Sequence, residues 1–119
     1  MRTVEIGGKK IGLKATPLGF LYYQREFGSD LTADAVKLSR AENDLSKLDT
    51  VILLQLIWVM NKLYVGMGKP FPGFEEWLAQ FEYMNLGDDN MILGVMEEIE
   101  NGFFRQGQTG GPKPPAKSK

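Results

Sequence analysis

The chain has 119 residues, of which 43% are hydrophobic and 24% charged, so it has room for one domain with a single core. It contains no cysteine and no histidine, which excludes disulfides, thiolate metal sites and hydrolases built on a serine–histidine pair. Residues 1–105 hold eleven Lys or Arg and fifteen Asp or Glu, and this acidic balance argues against nucleic-acid binding.

The first predicted element is a β-hairpin. Two runs that alternate apolar and polar residues, around 4–6 and 11–15, flank a Gly-Gly-Lys-Lys segment at 7–10. A phosphate-binding loop would need a longer glycine spacing that ends in Gly-Lys-Ser/Thr, so a hairpin turn is the preferred interpretation. An isolated hairpin is barely stable, and we therefore expect its apolar face to pack on helices.

Two helices are predicted next. Thr16 followed by Pro17 is typical of a helix start, with a hydroxyl cap and proline at the first helical position. Gly28 can supply the left-handed residue that ends this helix. Thr32 is expected to cap a short second helix that continues to about Arg40.

The longest predicted helix runs from about Ser46 to Val65, after a polar connection over 41–46. Ser46 with Asp49 three residues later is the signal for its start. Its apolar residues cover every side, which predicts a helix buried all round. Four other helices are scarcely enough to cover it, and this favours self-association. The most apolar stretch, 51–60, is too short to span a membrane.

Two amphipathic helices are predicted in the C-terminal half. One follows a stiff loop at 69–73 and carries apolar residues at i, i+3, i+4 and i+7, namely Phe74, Trp77, Leu78 and Phe81. The other begins at a cap, Asp88 or Asp89, and its inward stripe comprises Ile92, Val95, Met96, Ile99 and Phe103.

No group of residues points to catalysis. Residues 88–90 lack the alternating acids and the closing glutamate of a calcium loop, so helix capping is the preferred interpretation. Glu97, Glu98 and Glu100 are expected to form a solvated helix face rather than an acid–base pair. We therefore predict a non-enzymatic protein with no catalytic residue, no cofactor and no metal site.

The aromatic residues are more numerous than one small core easily encloses. Most are expected in the core, and those left outside are candidates for binding a partner. Phe71, which lies between two prolines, and Phe104, which lies off the apolar stripe of the last helix, are the candidate exposed contacts. Together with Trp77 and Phe81 they form the predicted partner-binding set.

The predicted fold is mainly α (α+β), with an N-terminal β-hairpin packed on a bundle of four to five helices. One globular domain is expected over 1–105. Residues 106–119 are rich in Gly, Pro and Lys and cannot bury enough apolar surface to offset the entropy of ordering. They are predicted to form a disordered tail or the root of a linker.

Five segments carry a resemblance to a known family. In chain order they are a hairpin with a Gly-Lys turn, a helix that ends in an aromatic-Gly step, a long apolar helix, an amphipathic helix and an acidic last helix. The first four read VEIGGKKIGLKAT, FLYYQREFGSDL, LDTVILLQLIWVMNKLY and FEEWLAQF. Over residues 3–105 this order resembles the tail assembly chaperones of long-tailed bacteriophages and prophages, particularly those of Gram-positive hosts.

The resemblance implies a specific role. Such chaperones are small, helical and non-enzymatic, and they bind the hydrophobic tape measure protein and keep it soluble during tail assembly in the host bacterial cytoplasm. They are absent from the mature virion, and many have a frameshift-extended second form. The expected partners are thus the tape measure protein and further copies of the chain, with no nucleic acid and no membrane. The alternative is a structural tail-completion or connector protein of the virion.

Overall fold

The computed structural model describes residues 1–40 and 48–104, and it confirms the mainly α (α+β) prediction. An N-terminal hairpin packs on five α-helices, and the last helix continues as a π-helix. The elements are β1 (Arg2–Ile6), β2 (Lys9–Leu13), α1 (Leu18–Phe27), α2 (Leu31–Ser39), α3 (Thr50–Val65), α4 (Phe74–Ala79), α5 (Asp89–Glu98) and the π-helix (Ile99–Phe104). The predicted connection at 41–46 and the predicted tail at 106–119 lie outside the described residues.

The hairpin forms because two glycines allow a two-residue turn. Gly7 and Gly8 have φ of 58° and 80°, a region that favours glycine and that type I′ turns require at both positions. The register pairs Val4 with Ile11. Residues opposite one another share a face of the sheet, and the apolar residues of both strands are accordingly buried on one side: Val4, Ile6, Ile11 and Leu13.

The central helix α3 is covered within a single copy of the chain. The strand β2 and the helices α1, α2 and α4 all pack against it. Eight of its sixteen residues are buried: Ile52, Leu53, Leu56, Ile57, Trp58, Val59, Met60 and Leu63. The prediction of a helix buried all round is therefore wrong at Val51 and Tyr64, which are 54% and 47% exposed. The helices alone do not cover α3, as expected, and the hairpin supplies part of the cover.

Two helices begin at an aspartate rather than at the predicted hydroxyl residue. Asp30, not Thr32, caps α2, and its carboxylate accepts the N–H of Ala33. Asp49 caps α3, whereas the sequence pattern placed the cap at Ser46, which lies outside the described residues. A carboxylate at the cap also interacts favourably with the positive end of the helix dipole, which strengthens this choice.

The other predicted helix ends are partly confirmed. Asp88 caps α5, as one of the two predicted alternatives, and accepts the N–H groups of Asn90 and Met91. Gly28, with φ of 71°, ends α1 as predicted. The first turn of α1 is closed by the carbonyl of Thr16 rather than by its hydroxyl, since this carbonyl accepts the N–H of Gly19.

Close helix contacts depend on two glycines. A Cβ at Gly102 in the π-helix would overlap Ala15, which follows β2. A Cβ at Gly19 would lie 2.8 Å from the ring of Phe103 and 2.9 Å from the side chain of Leu63. These contacts hold the π-helix against α1 and against the segment between the hairpin and α1.

We predict that Gly102→Ala destabilises the fold by about 1–3 kcal/mol, because the added methyl group overpacks a contact with backbone as well as side-chain atoms. Gly73→Ala is the matched control, since a Cβ there has no neighbour closer than 3.5 Å. Urea unfolding followed by circular dichroism measures both free energies of unfolding. Equal values for the two variants would show that the close contact does not matter.

Candidate interaction surface

The structure places the predicted residue Trp77 in the core. Its side chain is 1% exposed, and its indole N–H donates to Asn61 Oδ1 at 3.0 Å. The prediction that places Trp77 in the partner-binding set therefore conflicts with its burial, whereas its predicted position on the apolar stripe of α4 agrees with it. The physical reason is its position on α4, where the i, i+3, i+4 stripe turns towards the core.

Phe71 and Phe81 lie at the edge of the core and are half-buried. The Phe71 ring centroid is 5.9 Å from that of Trp58, in an edge-on arrangement that aromatic pairs favour. The Phe81 ring centroid is 5.0 Å from that of Trp77. The Lys9 ammonium lies 5.9 Å from the Phe81 centroid. Both rings thus have partners inside the chain and offer only part of their surface to another molecule.

Of the four predicted partner-binding residues, Phe104 is the one that lines a groove. The groove lies between α2 and the end of the α5–π-helix segment and has a volume of about 290 Å³. Its lining combines small polar side chains on α2 with apolar side chains from both helices: Thr32, Ala35, Val36, Ser39, Met96, Ile99, Glu100 and Phe104.

The groove can accept apolar side chains from another helix. Ala35 and Ile99 are buried in its floor, while Val36 is 40% exposed on its wall. The wall formed by α2 is nine residues long, about 13 Å, which is two to three turns of a partner helix. Glu100 is exposed and adds a negative charge to the lining. Apolar anchors flanked by a basic residue therefore suit this groove.

A second cleft lies where a hydrogen bond joins α1 to α4. It has a volume of about 460 Å³ and lies between α1 and the start of α4, lined by Glu26, Phe27, Gly73, Phe74, Glu75 and Glu76. The carboxylate of Glu26 accepts the N–H of Phe74 at 2.8 Å, so it satisfies a free donor at the start of α4. This acid ties α1 to α4.

A buried polar network holds α2 in place beside the groove. The Tyr23 hydroxyl lies 2.8 Å from Asp34 Oδ2 and 2.8 Å from Gln55 Oε1, and Ser29 donates to Asp34 at 3.0 Å. A phenol has one hydrogen, and the carboxylate is the stronger acceptor. Gln55 therefore bonds the phenol oxygen through its NH₂ group, in the flipped amide orientation. Burial, followed by the hydrogen bond to Asp34, raises the pKa of Tyr23.

One feature of the sequence indicates this network, but the prediction from apolar periodicity did not use it. Asp34 is buried and lies on the same face of α2 as Leu31, Ala35 and Leu38, the apolar residues of that helix. A carboxylate within an apolar stripe requires a partner, because burying an unpaired carboxylate is costly. Tyr23 on α1 is that partner.

Glu98 is buried, contrary to the prediction of a solvated face for the acids of the last helix. It is 7% exposed, and its Oε2 atom accepts the N–H of Ala15 and pairs with the Met1 amino group, each at 3.2 Å. Glu97 and Glu100 are exposed, as predicted. Glu98 therefore joins the last helix to the hairpin and its following segment.

Across residues 1–40 and 48–104, no group of acidic residues could hold a metal ion. Over the same ranges, no helix combines the length and apolar character needed to cross a membrane. No family model matches the chain, and no curated protein or solved structure matches it.

We predict that Tyr23→Phe lowers the free energy of unfolding by about 1–3 kcal/mol, because the buried Asp34 keeps only its hydrogen bond from Ser29 and the half-buried Gln55 loses the phenol oxygen. Tyr83→Phe is the matched control, since its side chain is exposed. Urea unfolding of both variants measures the difference. A Tyr23→Phe protein as stable as the control would contradict a structural role for the network.

The raised pKa of Tyr23 also predicts a dependence on pH. The folded state holds the phenol proton above about pH 10, where the unfolded chain releases it, so the unfolded state then binds fewer protons. This contribution to stability is complete below that pH and is lost as the pH rises above it. Urea midpoints of the native protein should therefore fall more steeply in this range than those of Tyr23→Phe. Parallel pH profiles would contradict the prediction.

Proposed function

We propose that this protein is a non-enzymatic tail assembly chaperone of a long-tailed phage or prophage. In this role it binds the tape measure protein and keeps it soluble in the host bacterial cytoplasm until the tail tube assembles. The proposal is supported by the order of the elements that the chain forms. A hairpin with a Gly-Lys turn, a helix ending in Phe-Gly, a long apolar helix and an acidic last helix follow one another in an order that resembles that family.

The observation that carries the proposal is the apolar groove between α2 and the end of the chain's last helix. A groove bounded by two helices suits the helix-in-groove mode of recognition, in which an amphipathic helix inserts anchors at i and i+3 or i+4. Val36 and Phe104 would contact these anchors, and Glu100 would face a basic flank of the client helix. The proposed occupant is therefore an amphipathic, basic helical segment of the tape measure protein.

The proposed binding surface lies at α2 and the π-helix and not on the long apolar helix α3. The apolar residues of α3 are mostly buried, so we assign α3 to the core and place client binding at the groove. A single groove of this size supports only weak binding by one copy. Many copies along one elongated client would still bind it strongly, because each bound copy raises the effective concentration of client for its neighbours.

We also propose that copies of the chain associate with one another and with any frameshift-extended form. Val51, at the start of α3, is 54% exposed, and such a residue can contribute to contacts between copies. The structure leaves less exposed apolar surface on α3 for this association than the sequence implied, because one copy of the chain already covers most of the helix.

We predict that Val36→Asp weakens client binding about tenfold, because a charge in the groove wall opposes burial of apolar anchors. Val36 is partly exposed, so the fold should be retained. Met67→Asp is the matched control, because Met67 is a more exposed apolar residue outside the groove. Each variant is co-expressed with the tape measure protein, and the soluble fraction of the client is measured.

The native protein and Met67→Asp should keep the client soluble, and Val36→Asp should not. A client that stays insoluble with the native protein would overturn the proposed function. A client kept equally soluble by all three proteins would leave the chaperone role intact but contradict the groove as its site. Mass spectrometry of purified virions tests the alternative, since a structural tail-completion or connector protein would be present in them.

A further inference from the structure

The two strands of the hairpin use alternate residues for their mutual hydrogen bonds. With a two-residue turn, the pair that flanks the turn exchanges both backbone bonds, and bonded pairs recur at every second residue. The bonded pairs are therefore Ile6–Lys9, Val4–Ile11 and Arg2–Leu13. Thr3 and Glu5 lie between these pairs, so their N–H and C=O groups point away from β2. These four groups form the outer edge of β1.

The outer edge of β2 is covered by α3. Asn61 Nδ2 on α3 donates to the carbonyl of Gly12 at 3.0 Å, and the ring of Tyr64 lies directly against Gly12. Just beyond the strand, the N–H of Lys14 donates to the carbonyl of Met60 at 3.1 Å. An additional strand cannot pair on this side.

The outer edge of β1 is open. Thr3 and Glu5 are exposed, and no hydrogen bond from the described part of the chain reaches their backbone groups. Proteins usually protect such edges with proline, a bulge or charged side chains. The strand contains neither proline nor a bulge, and Glu5, opposite Lys10 of β2, is its one exposed charged side chain. Its Arg2 reaches Glu97 on α5 at 2.7 Å, and so it is drawn to the inner face of the sheet.

We propose that the outer edge of β1 is a second binding site, which takes one extended segment of a protein partner as a third strand. The segment would pair with the backbone of Thr3 and Glu5, in the mode known as β-strand addition. This inference is independent of the proposed client and of the groove, which lies at α2 and the end of the last helix.

The helix α5 provides the floor for the added strand. A Cβ at Gly94 would lie 3.1 Å from the Val4 side chain, so this glycine is a point of close approach to β1. Val95, on one flank of Gly94, is buried in the core, whereas Leu93, on the other flank, is 51% exposed. Leu93 therefore lies on the side away from the core, and the open edge of β1 faces the same way because β2 lies on the core side.

The space above α5 suits a single strand rather than a second copy of the chain. Strands in a sheet are about 4.8 Å apart, whereas packed helices need about 8–10 Å between their axes. Symmetric pairing of β1 with β1 of another copy would bring the two α5 helices too close. A segment without its own covering helix has no such conflict.

The side chains around the edge define the chemistry of the partner. Glu5 is exposed on the outer face of the sheet and makes no ion pair within the described residues. Leu93 is the exposed apolar residue on the inner side. Successive residues of an added strand point to opposite faces, so alternation of basic and apolar residues matches this site.

The test uses a fluorescein-labelled heptapeptide of alternating valine and lysine as the probe, with binding to the full chain followed by fluorescence polarisation. The native protein should bind it. Glu5→Pro should weaken binding at least about tenfold, because proline removes an outward N–H that the hairpin does not use. Glu5→Ala is the matched control. It removes the same charge but keeps the N–H, so it should bind the peptide more tightly than Glu5→Pro does, and the difference between the two variants isolates the backbone bond.

A second probe keeps the test independent of how well Glu5→Pro folds. The same peptide with N-methylated backbone at alternate residues cannot form the edge bonds and should not bind the native protein. Absence of binding by the unmodified peptide, or equal binding by both peptides, would overturn the proposal. A concentration-dependent dimer in sedimentation experiments that Glu5→Pro abolishes would also overturn it, because the edge would then pair two copies.

Discussion

The burial of α3 is the constraint on which the rest of the structure depends. Its sixteen residues are apolar on nearly every side, and β2, α1, α2 and α4 supply the cover. Burial of large side chains such as Trp58, Leu56 and Met60 contributes roughly 1.5–3 kcal/mol each. Helices alone would leave one side open, and the hairpin closes it. The hairpin is stable in turn because α3 and α5 cover its apolar face.

Specific polar contacts then fix how the covering elements are oriented. The Tyr23–Asp34–Gln55 network joins three helices, and Glu98 joins the last helix to the start of the chain. Buried polar groups of this kind are costly unless they are fully paired, so they favour one arrangement over others of similar apolar burial. Because α2 forms one wall of the groove, the network also determines the groove's shape.

The two proposed binding sites differ in kind. The groove offers apolar surface and suits a helix, while the open edge of β1 offers backbone groups and suits a strand. The four aromatic residues singled out in the sequence contribute one member, Phe104, to the first and none to the second. The proposed role on a long client relies on weak sites and an acidic surface, because copies would then bind side by side without aggregating themselves.

Local patterns in the sequence were sufficient to determine the hairpin, the helices and the apolar character of α3. Each depends on residues near one another in the chain, such as the glycines at 7 and 8 or the stripe of α4. Only the tertiary structure decided which side chains remain exposed. Glu98 is buried and paired because Met1 and Ala15, which are distant in the sequence, meet it, and such contacts leave no periodic signal. Burial is a property of the packed whole, so the binding surfaces appear only once every element is in place.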